Sequence, residues 1–150
     1  FRLFQFSEQV KEVTNGWSKA NTPKALTDAQ SLMEKIDPVG GTNVEDAISA
    51  TLKINPSSIY IITDGLPTIG KRSQSFIPSG GCGGITGKSR VSGECRASLF
   101  VDVESLSSLF RGTISVILLP LEGDPAAAPL YTRWTLAHSG TLLSPSKGWP

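Results

Sequence analysis

The sequence lacks long apolar runs and any strong excess of charge of one sign. Its longest apolar run, within residues 114–121, is far shorter than the roughly 20 residues that a membrane-spanning helix needs. The formal net charge is only +1 and no long Lys/Arg tract is present, so nothing indicates a nucleic-acid partner. We therefore expect membrane association only through segments outside these 150 residues.

Histidine and cysteine, the residues typical of zinc sites, are also scarce, with one histidine and two cysteines in the chain. No Gly-x-Ser-x-Gly elbow accompanies His138, so a catalytic triad is not expected. The Gly-Lys-Ser sequence at 87–89 resembles the end of a P-loop, but Cys82 stands where that motif needs a glycine. No second titratable group beside Asp64 is evident. These shortages predict a protein that is not an enzyme.

What the chain does have is a regular alternation of strand and helix patterns, over a length that suits one domain. Apolar and β-branched runs predict strands at 1–6, 9–14, 57–63, 113–121 and 141–144. Apolar residues at helical spacing predict helices at 23–36, 44–52, 99–110 and 125–139. This order predicts an α/β fold, a three-layer, mostly parallel open sheet with helices on both faces and one antiparallel edge strand.

Each predicted helix has one apolar face that we expect to be buried. In chain order these faces carry Leu26, Ala29, Met33 and Ile36; Val44, Ala47, Ile48, Thr51 and Leu52; Leu99, Val103, Leu106, Leu109 and Phe110; and Leu130, Trp134 and Ala137. Asp124, followed by a proline, stands where it can cap the last of these helices.

Residues 57–65 form the stretch around which the rest of the chain is organised. Their β-branched and aromatic run has almost no polar interruption, which is typical of a strand buried on both faces. The run ends in Asp64-Gly65, and in open α/β sheets the ligand site lies beyond the carboxyl ends of the strands. Asp64 therefore lies where a ligand is expected, although Asp64-Gly65 also fits a simple turn.

Three short motifs occur in order along the chain: Phe-Gln-Phe-Ser at 4–7, Gly-Gly-Thr-Asn-Val-Glu-Asp-Ala-Ile at 40–48, and Ile-Ile-Thr-Asp-Gly at 61–65. Together they resemble successive signatures of the von Willebrand factor type A (vWA) domain, whose fold is Rossmann-like. The resemblance extends over nearly the whole chain, and the segment 139–150 is similar to bacterial members. It implies a single vWA-like domain over residues 1–150 that binds another protein.

In the vWA family a divalent cation, usually Mg²⁺, lies at the top of the sheet in a metal-ion-dependent adhesion site (MIDAS). By this resemblance Thr42 and Asp64 are ligands of Mg²⁺, or of Mn²⁺ or Ca²⁺, which as hard cations take oxygen ligands. The resemblance also implies that one coordination position stays open for an acidic residue of the partner. Thr42 has a second interpretation, because Thr42-x-x-Glu45 fits a capping box in which Thr42 only caps a helix.

The first strand of the family normally carries an Asp-x-Ser-x-Ser motif that completes the metal site, and this sequence contains no such motif. That strand would precede Phe1 and lie in the middle of the sheet, where its absence would leave buried backbone groups unpaired. We therefore expect the first strand upstream of Phe1, so that the domain in 1–150 is incomplete at its N-terminus. The alternative function is a structural scaffold with a degenerate metal site, in a membrane-associated bacterial assembly.

Residues 66–96 are rich in glycine and show no periodicity, which is typical of a functional or disordered loop. The loop carries an excess of positive charge, with Lys71, Arg72, Lys88, Arg90 and Arg96 against Glu94, and the first four of these are the predicted partner-binding residues. We expect these side chains to surround the site and to attract an acidic partner, so that added salt weakens binding.

Cys82 and Cys95 lie in this loop, close together in the chain, with no histidine nearby to suggest a zinc site. Pairing them would close a short loop and stabilise the fold by about 3 kcal/mol through the lost entropy of the unfolded chain. We predict this disulfide, and with it an extracytoplasmic location, periplasmic or at the cell surface. Two free thiols in a cytosolic protein are the alternative.

Overall fold

The computed structural model describes residues 1–36, 40–71, 91–120 and 124–145, and these ranges hold five strands and four helices. In chain order they are β1 (Phe4–Phe6), β2 (Val10–Glu12), α1 (Pro23–Met33), α2 (Val44–Leu52), β3 (Ser58–Thr63), α3 (Gly93–Ser107), β4 (Thr113–Leu118), α4 (Ala127–Ala137) and β5 (Leu142–Leu143). The predicted α/β class and the predicted order of elements are confirmed.

Strands β3, β4 and β5 form a parallel sheet in that order. β3 and β4 pair along their whole length, from Ser58 opposite Thr113 to Thr63 opposite Leu118. Alternate residues of both strands are buried on one face, namely Ile59, Ile61, Thr63, Ile114, Val116 and Leu118. The apolar runs of β3 and β4 therefore form the sheet side of the hydrophobic core.

The opposite face of this sheet is open in the described part of the chain. Tyr60 and Ile62 of β3 are 74% and 51% exposed, and Leu143 of β5 is 50% exposed. The prediction that the 57–63 strand is buried on both faces is wrong for these ranges, because no described element covers Tyr60 and Ile62. Helices on both faces, and with them a three-layer arrangement, stay a prediction.

Strands β1 and β2 pair antiparallel as predicted, with Phe4 opposite Glu12. Among the described strands they form a two-stranded sheet of their own, so the predicted edge strand of one mixed sheet is not seen. Phe6 nevertheless packs against the main core, and the Asn43 N–H donates to the Ser7 carbonyl oxygen at 2.9 Å. The hairpin is thus held beside the core without joining the parallel sheet.

Helices α2, α3 and α4 supply the other wall of the core, and aromatic rings fill its centre. Phe100 contacts Tyr131 and Trp134 edge to face, with ring centroids 4.8 and 5.5 Å apart. The Trp134 indole N–H donates to Ser107 Oγ at 2.8 Å, so this ring is buried without an unsatisfied donor. The inner face predicted for α2 is confirmed in the same core, where Val44, Ala47 and Ile48 are buried.

Helix α1 does not bury the face predicted for it. No residue of α1 is buried, and Leu26 and Met33 are half exposed. Its apolar stripe instead lines an open groove of about 610 Å³ together with Phe1 and Leu3. None of the helices in the described ranges is long and apolar enough to cross a bilayer.

The buried faces of α3 and α4 differ from the predicted ones. Three predicted core residues are exposed, Leu106, Leu109 and Ala137, and residues outside the predicted faces are buried instead, among them Phe100, Ser107 and Tyr131. Ser107 is polar, but its hydroxyl donates to the Val103 carbonyl oxygen and accepts from Trp134. A hydroxyl that finds both partners can occupy a core position that hydrophobic periodicity misses.

His138, at the end of α4, is a buried ring that packs against Trp134 and Phe110. Burial lowers the pKa of His138, and a hydrogen bond with the Phe110 backbone opposes this effect. The unfolded chain therefore binds the proton more tightly than the folded chain does. The stability that the neutral ring contributes is present above the ordinary histidine pKa and is lost as the pH falls through the lowered folded value.

We accordingly expect the free energy of unfolding to fall between about pH 7.5 and about pH 5, and to fall less in His138→Gln, which cannot be protonated. Urea unfolding of both proteins at the two pH values measures the difference. An equal fall in both would show that carboxylates, and not His138, cause the loss of stability.

Candidate functional site

Two loops meet beyond the carboxyl end of β3: the Thr42 loop (residues 40–43), which precedes α2, and the Asp64 loop (residues 64–71), which follows β3. Their backbones are joined directly. The Thr42 N–H donates to Thr68 Oγ1 at 2.8 Å, and the Thr42 carbonyl oxygen accepts from the N–H groups of Thr68 and Ile69 at 2.9 and 3.2 Å. The structure therefore brings together the two motifs that the sequence singles out.

The paired glycines of the Thr42 loop explain how the loops can approach so closely. Gly40 has a φ of +93°, in the left-handed region that favours glycine. At Gly41 a Cβ atom would lie 2.5 Å from Ile69 Cδ1, so a larger residue there would displace the Ile69 side chain. These two positions thus set the contact between the loops.

Thr42 does not cap α2. The N-cap is Asn43, whose Oδ1 accepts the Asp46 N–H at 3.0 Å and whose Nδ2 donates to Asp46 Oδ2 at 2.8 Å. The capping-box interpretation of Thr42 is wrong, because the helix begins one residue later than that motif requires and Asn43 supplies the oxygen. The Thr42 side chain, which is half-buried, is not needed to start the helix.

Asp64 is exposed, and it makes no hydrogen bond or ion pair with any other residue in the described ranges. Its neighbour, in contrast, is fixed. The Gly65 carbonyl oxygen accepts from the Tyr131 hydroxyl at 3.0 Å and from Thr63 Oγ1 at 3.1 Å. Burial raises the pKa of the Tyr131 hydroxyl, which keeps it a neutral donor. The Asp64 carboxylate therefore extends into solvent from a backbone that is held in place.

Leu66 is held at both polar atoms of its backbone. Its N–H donates to Asp124 Oδ2 at 2.8 Å, and its carbonyl oxygen accepts from Arg96 Nη2 at 2.7 Å. Arg96 and Asp124 also form an ion pair at 2.8 Å, and their side chains are only 14% and 3% exposed. We name this arrangement of Arg96, Asp124 and the Leu66 backbone the Leu66 clamp.

Sequence reasoning counts Arg96 only among the positive charges of the loop, and it does not place Asp124 in the site. It predicts Asp124 only as a helix cap, which is wrong, because α4 follows Ala126 and has no side-chain cap. An acidic residue before a helix is a common cap signal, so the local sequence cannot separate the two roles. Arg96 lies 30 residues from Leu66, and Asp124 lies 58 residues from it, so no local pattern links them.

Lys71 is the predicted partner-binding residue that falls within the described ranges. Its Nζ lies 3.0 Å from Glu45 Oε1, and its N–H donates to Glu45 Oε2 at 2.8 Å. The hydrogen bond to Glu45 raises the pKa of Lys71, and Lys71 in turn neutralises a buried carboxylate. Lys71 therefore joins the C-terminal end of the Asp64 loop to α2, and the charge of its side chain is balanced by Glu45. The other predicted residues, Arg72, Lys88 and Arg90, lie outside the described residues.

The predicted loop 66–96 is too long at its C-terminal end, because α3 already begins at Gly93. Ser92 caps this helix and accepts the Cys95 N–H at 3.2 Å, and Cys95 is buried. Cys82 lies outside the described residues, so the pairing of the two cysteines stays a prediction.

The donors that the two loops offer are oxygen atoms, the Asp64 carboxylate and the Thr42 hydroxyl. Such donors suit hard cations, of which Mg²⁺ keeps several waters when few protein ligands are present. Across the described ranges, no three carboxylate, histidine or cysteine side chains gather into a group that could hold a metal ion. Asp64 and Thr42 thus fit two positions of a Mg²⁺ site, and the binding of Mg²⁺ by them stays a prediction.

Comparison with known proteins finds two relatives, and each matches only part of the chain. Inter-alpha-trypsin inhibitor heavy chain H2 of Mesocricetus auratus is 33% identical over 90 residues, and that of Mus musculus is 32% identical over 90 residues. Each match covers 51% of this chain and 9% of the relative. No protein family profile and no solved structure matches the chain. The likeness to these two proteins agrees with the resemblance to vWA domains.

Proposed function

We propose that this chain is a vWA-type domain that binds another protein through the Thr42 and Asp64 loops. The observation that carries the proposal is the direct pairing of these two loops, one of which carries the exposed Asp64 carboxylate. An exposed charged group on a fixed backbone loses little freedom when it meets a ligand, which favours recognition. The partial likeness to an inhibitor heavy chain also supports a binding role.

We further propose that Asp64 and Thr42 bind Mg²⁺, or else Mn²⁺ or Ca²⁺. Two oxygen donors on loops that are bonded to each other support this part of the proposal. The cation, when bound, would offer an open coordination position to a carboxylate of the partner protein. Asp64 would supply the negative charge that offsets the charge of the cation, and Thr42 a neutral oxygen.

The remaining ligands would come from a first strand upstream of Phe1, as the vWA resemblance implies. The edge of β3 that faces away from β4 supports this idea. Among the described strands, β3 pairs only with β4, while β1 belongs to a separate sheet. β3 carries no charge and no proline, and an apolar edge of this kind readily pairs with another strand. A strand between β1 and β3 would join the two sheets.

The partner that suits such a site is a protein that presents an acidic residue. Because Lys71 is paired with Glu45, long-range attraction of this partner would rest on Arg72, Lys88 and Arg90. An extracytoplasmic location, with Cys82 bonded to Cys95, belongs to the same proposal. Any attachment to a membrane would come from outside this chain.

Replacing Asp64 with asparagine in the natural polypeptide is expected to weaken Mg²⁺ binding at least about tenfold, because a charged ligand is lost while side-chain size is kept. Isothermal calorimetry with Mg²⁺, repeated with Mn²⁺, measures the change. Asp28→Asn is the matched control, since Asp28 is an exposed aspartate of α1 that pairs with Lys24.

Equal Mg²⁺ affinity in the wild type and in Asp64→Asn would remove Asp64 from the site. A wild-type protein that binds no divalent cation, yet binds its partner in the presence of EDTA, would favour the scaffold alternative. A loss of Mg²⁺ affinity in Asp28→Asn of the same size would show that the effect is a general effect of charge.

A further inference from the structure

We infer that Arg96 and Asp124 are positioning residues that hold the Asp64 loop and the Thr42 loop in a single arrangement. The consequence for ligand binding rests on the proposed function. The positioning itself is a property of the protein alone, and it can be measured without any ligand.

The Leu66 clamp closes a ring of hydrogen bonds around one residue of the Asp64 loop. Asp124 Oδ2 lies 2.8 Å from the Leu66 nitrogen and 2.8 Å from Arg96 Nη2, and Arg96 Nη2 lies 2.7 Å from the Leu66 carbonyl oxygen. Hydrogen bonds to charged groups are stronger than neutral ones. Leu66 is fully buried, so its backbone N–H and carbonyl depend on these partners.

Along the path of backbone and hydrogen bonds that joins Asp64 to Thr42, the two predicted ligands of the cation, the clamp holds the intermediate residue Leu66. Asp64 is two residues before Leu66, and Thr68, two residues after it, binds the Thr42 backbone. A peptide chain has only two soft dihedral angles per residue, so fixing Leu66 restricts Asp64 on one side and Thr68 on the other. Through Thr68, the same clamp restricts the position of Thr42.

A second Arg–carboxylate pair provides a control for the clamp. It connects two helices as an ion pair can, but it does not hold the loop. Arg133 of α4 binds Glu104 of α3 through Nε and Nη2, at 3.0 and 2.6 Å, and the Arg133 side chain is 60% exposed. This pair links α3 and α4 without contacting Leu66. A buried ion pair contributes little net stability after its desolvation cost, so the better explanation for Arg96 and Asp124 is the backbone that they hold.

The test compares Arg96→Lys and Asp124→Asn with the matched control Arg133→Lys, all in the natural polypeptide. Lysine keeps the charge but lacks the planar fork, and asparagine keeps the shape but loses the charge. Hydrogen–deuterium exchange in the absence of metal is followed by mass spectrometry over residues 65–69. We expect at least about tenfold faster exchange in both clamp variants and no change in Arg133→Lys. We also expect about tenfold weaker Mg²⁺ binding in the clamp variants only.

Unchanged exchange in both clamp variants would overturn the inference, because the loop would then be fixed without the clamp. Faster exchange with unchanged Mg²⁺ affinity would support the positioning of the loop but overturn its consequence for ligand binding, because the arrangement would not matter to the ligand. If the wild type binds no Mg²⁺, the proposed function fails, and the exchange data alone decide whether the clamp positions the loop. If Asp124→Asn does not fold, Arg96→Lys provides the same test, since it keeps the charge pair.

Discussion

Replacing Trp134 with alanine is expected to lower the free energy of unfolding by about 3–5 kcal/mol, the range seen for large aromatic residues in cores. The Trp134 side chain is 1% exposed and packs against Phe100 in the centre of the core. Its removal leaves a cavity under the sheet, and it leaves the Ser107 hydroxyl without the indole donor. Urea unfolding followed by circular dichroism measures the loss.

Leu136→Ala is the control for this substitution, because Leu136 lies in the same helix and is 70% exposed. We expect its effect to stay within about 0.5 kcal/mol, as for other surface positions. Similar losses in Trp134→Ala and Leu136→Ala would contradict the placement of α4 against the sheet.

Replacing Gly140 with alanine is expected to cost at least about 3 kcal/mol, at the upper end of the range for overpacking. A Cβ atom at this position would overlap the carbonyl group of Ile114 in β4. The obstacle is backbone, so no change of rotamer relieves it. β5 would have to move away from β4, which breaks the bond from the Val116 N–H to the Thr141 carbonyl oxygen. Thermal and urea unfolding both report the effect.

Gly93→Ala is the matched control for Gly140→Ala. Gly93 is the first residue of α3, and a Cβ atom there would meet no atom within 4 Å. Alanine in a helix loses less backbone entropy on folding than glycine, so we expect a gain of about 0.5–1 kcal/mol. A loss of stability in Gly93→Ala as large as in Gly140→Ala would mean that the close contact with Ile114 does not explain the effect.

The features that could be predicted from the sequence are those that local pattern determines. The apolar run of β3 identifies a strand, and the spacing of Val44, Ala47 and Ile48 identifies the buried face of α2. The Gly-Gly-Thr and Asp-Gly motifs indicate which loops form the candidate site. Each of these signals is contained in fewer than about a dozen residues, within the reach of helical and strand periodicity.

What the sequence could not indicate are contacts between distant residues and polar groups that satisfy each other. Ser107 is a core residue only because Trp134, 27 residues away, supplies its donor. Asp124 and Arg96 find their common partner, Leu66, only when α3 and the segment before α4 are in place. In sequence terms both are ordinary charged residues near helix ends. Their role depends on tertiary structure, which propensity and spacing do not encode.

The anchors of the Asp64 loop also bear on the order of folding. The loop is bonded to the Thr42 backbone, to Arg96, to Asp124 and to Tyr131, which together span most of the chain. These anchors come from the loop before α2, from α3, from the segment before α4 and from α4 itself, so the loops are arranged only when all of these elements are in place. A nascent chain that still lacks α4 would therefore lack the arranged loops even where β3 and β4 have already paired. Competence to bind would arise together with the completed domain, so that binding itself reports that folding is finished.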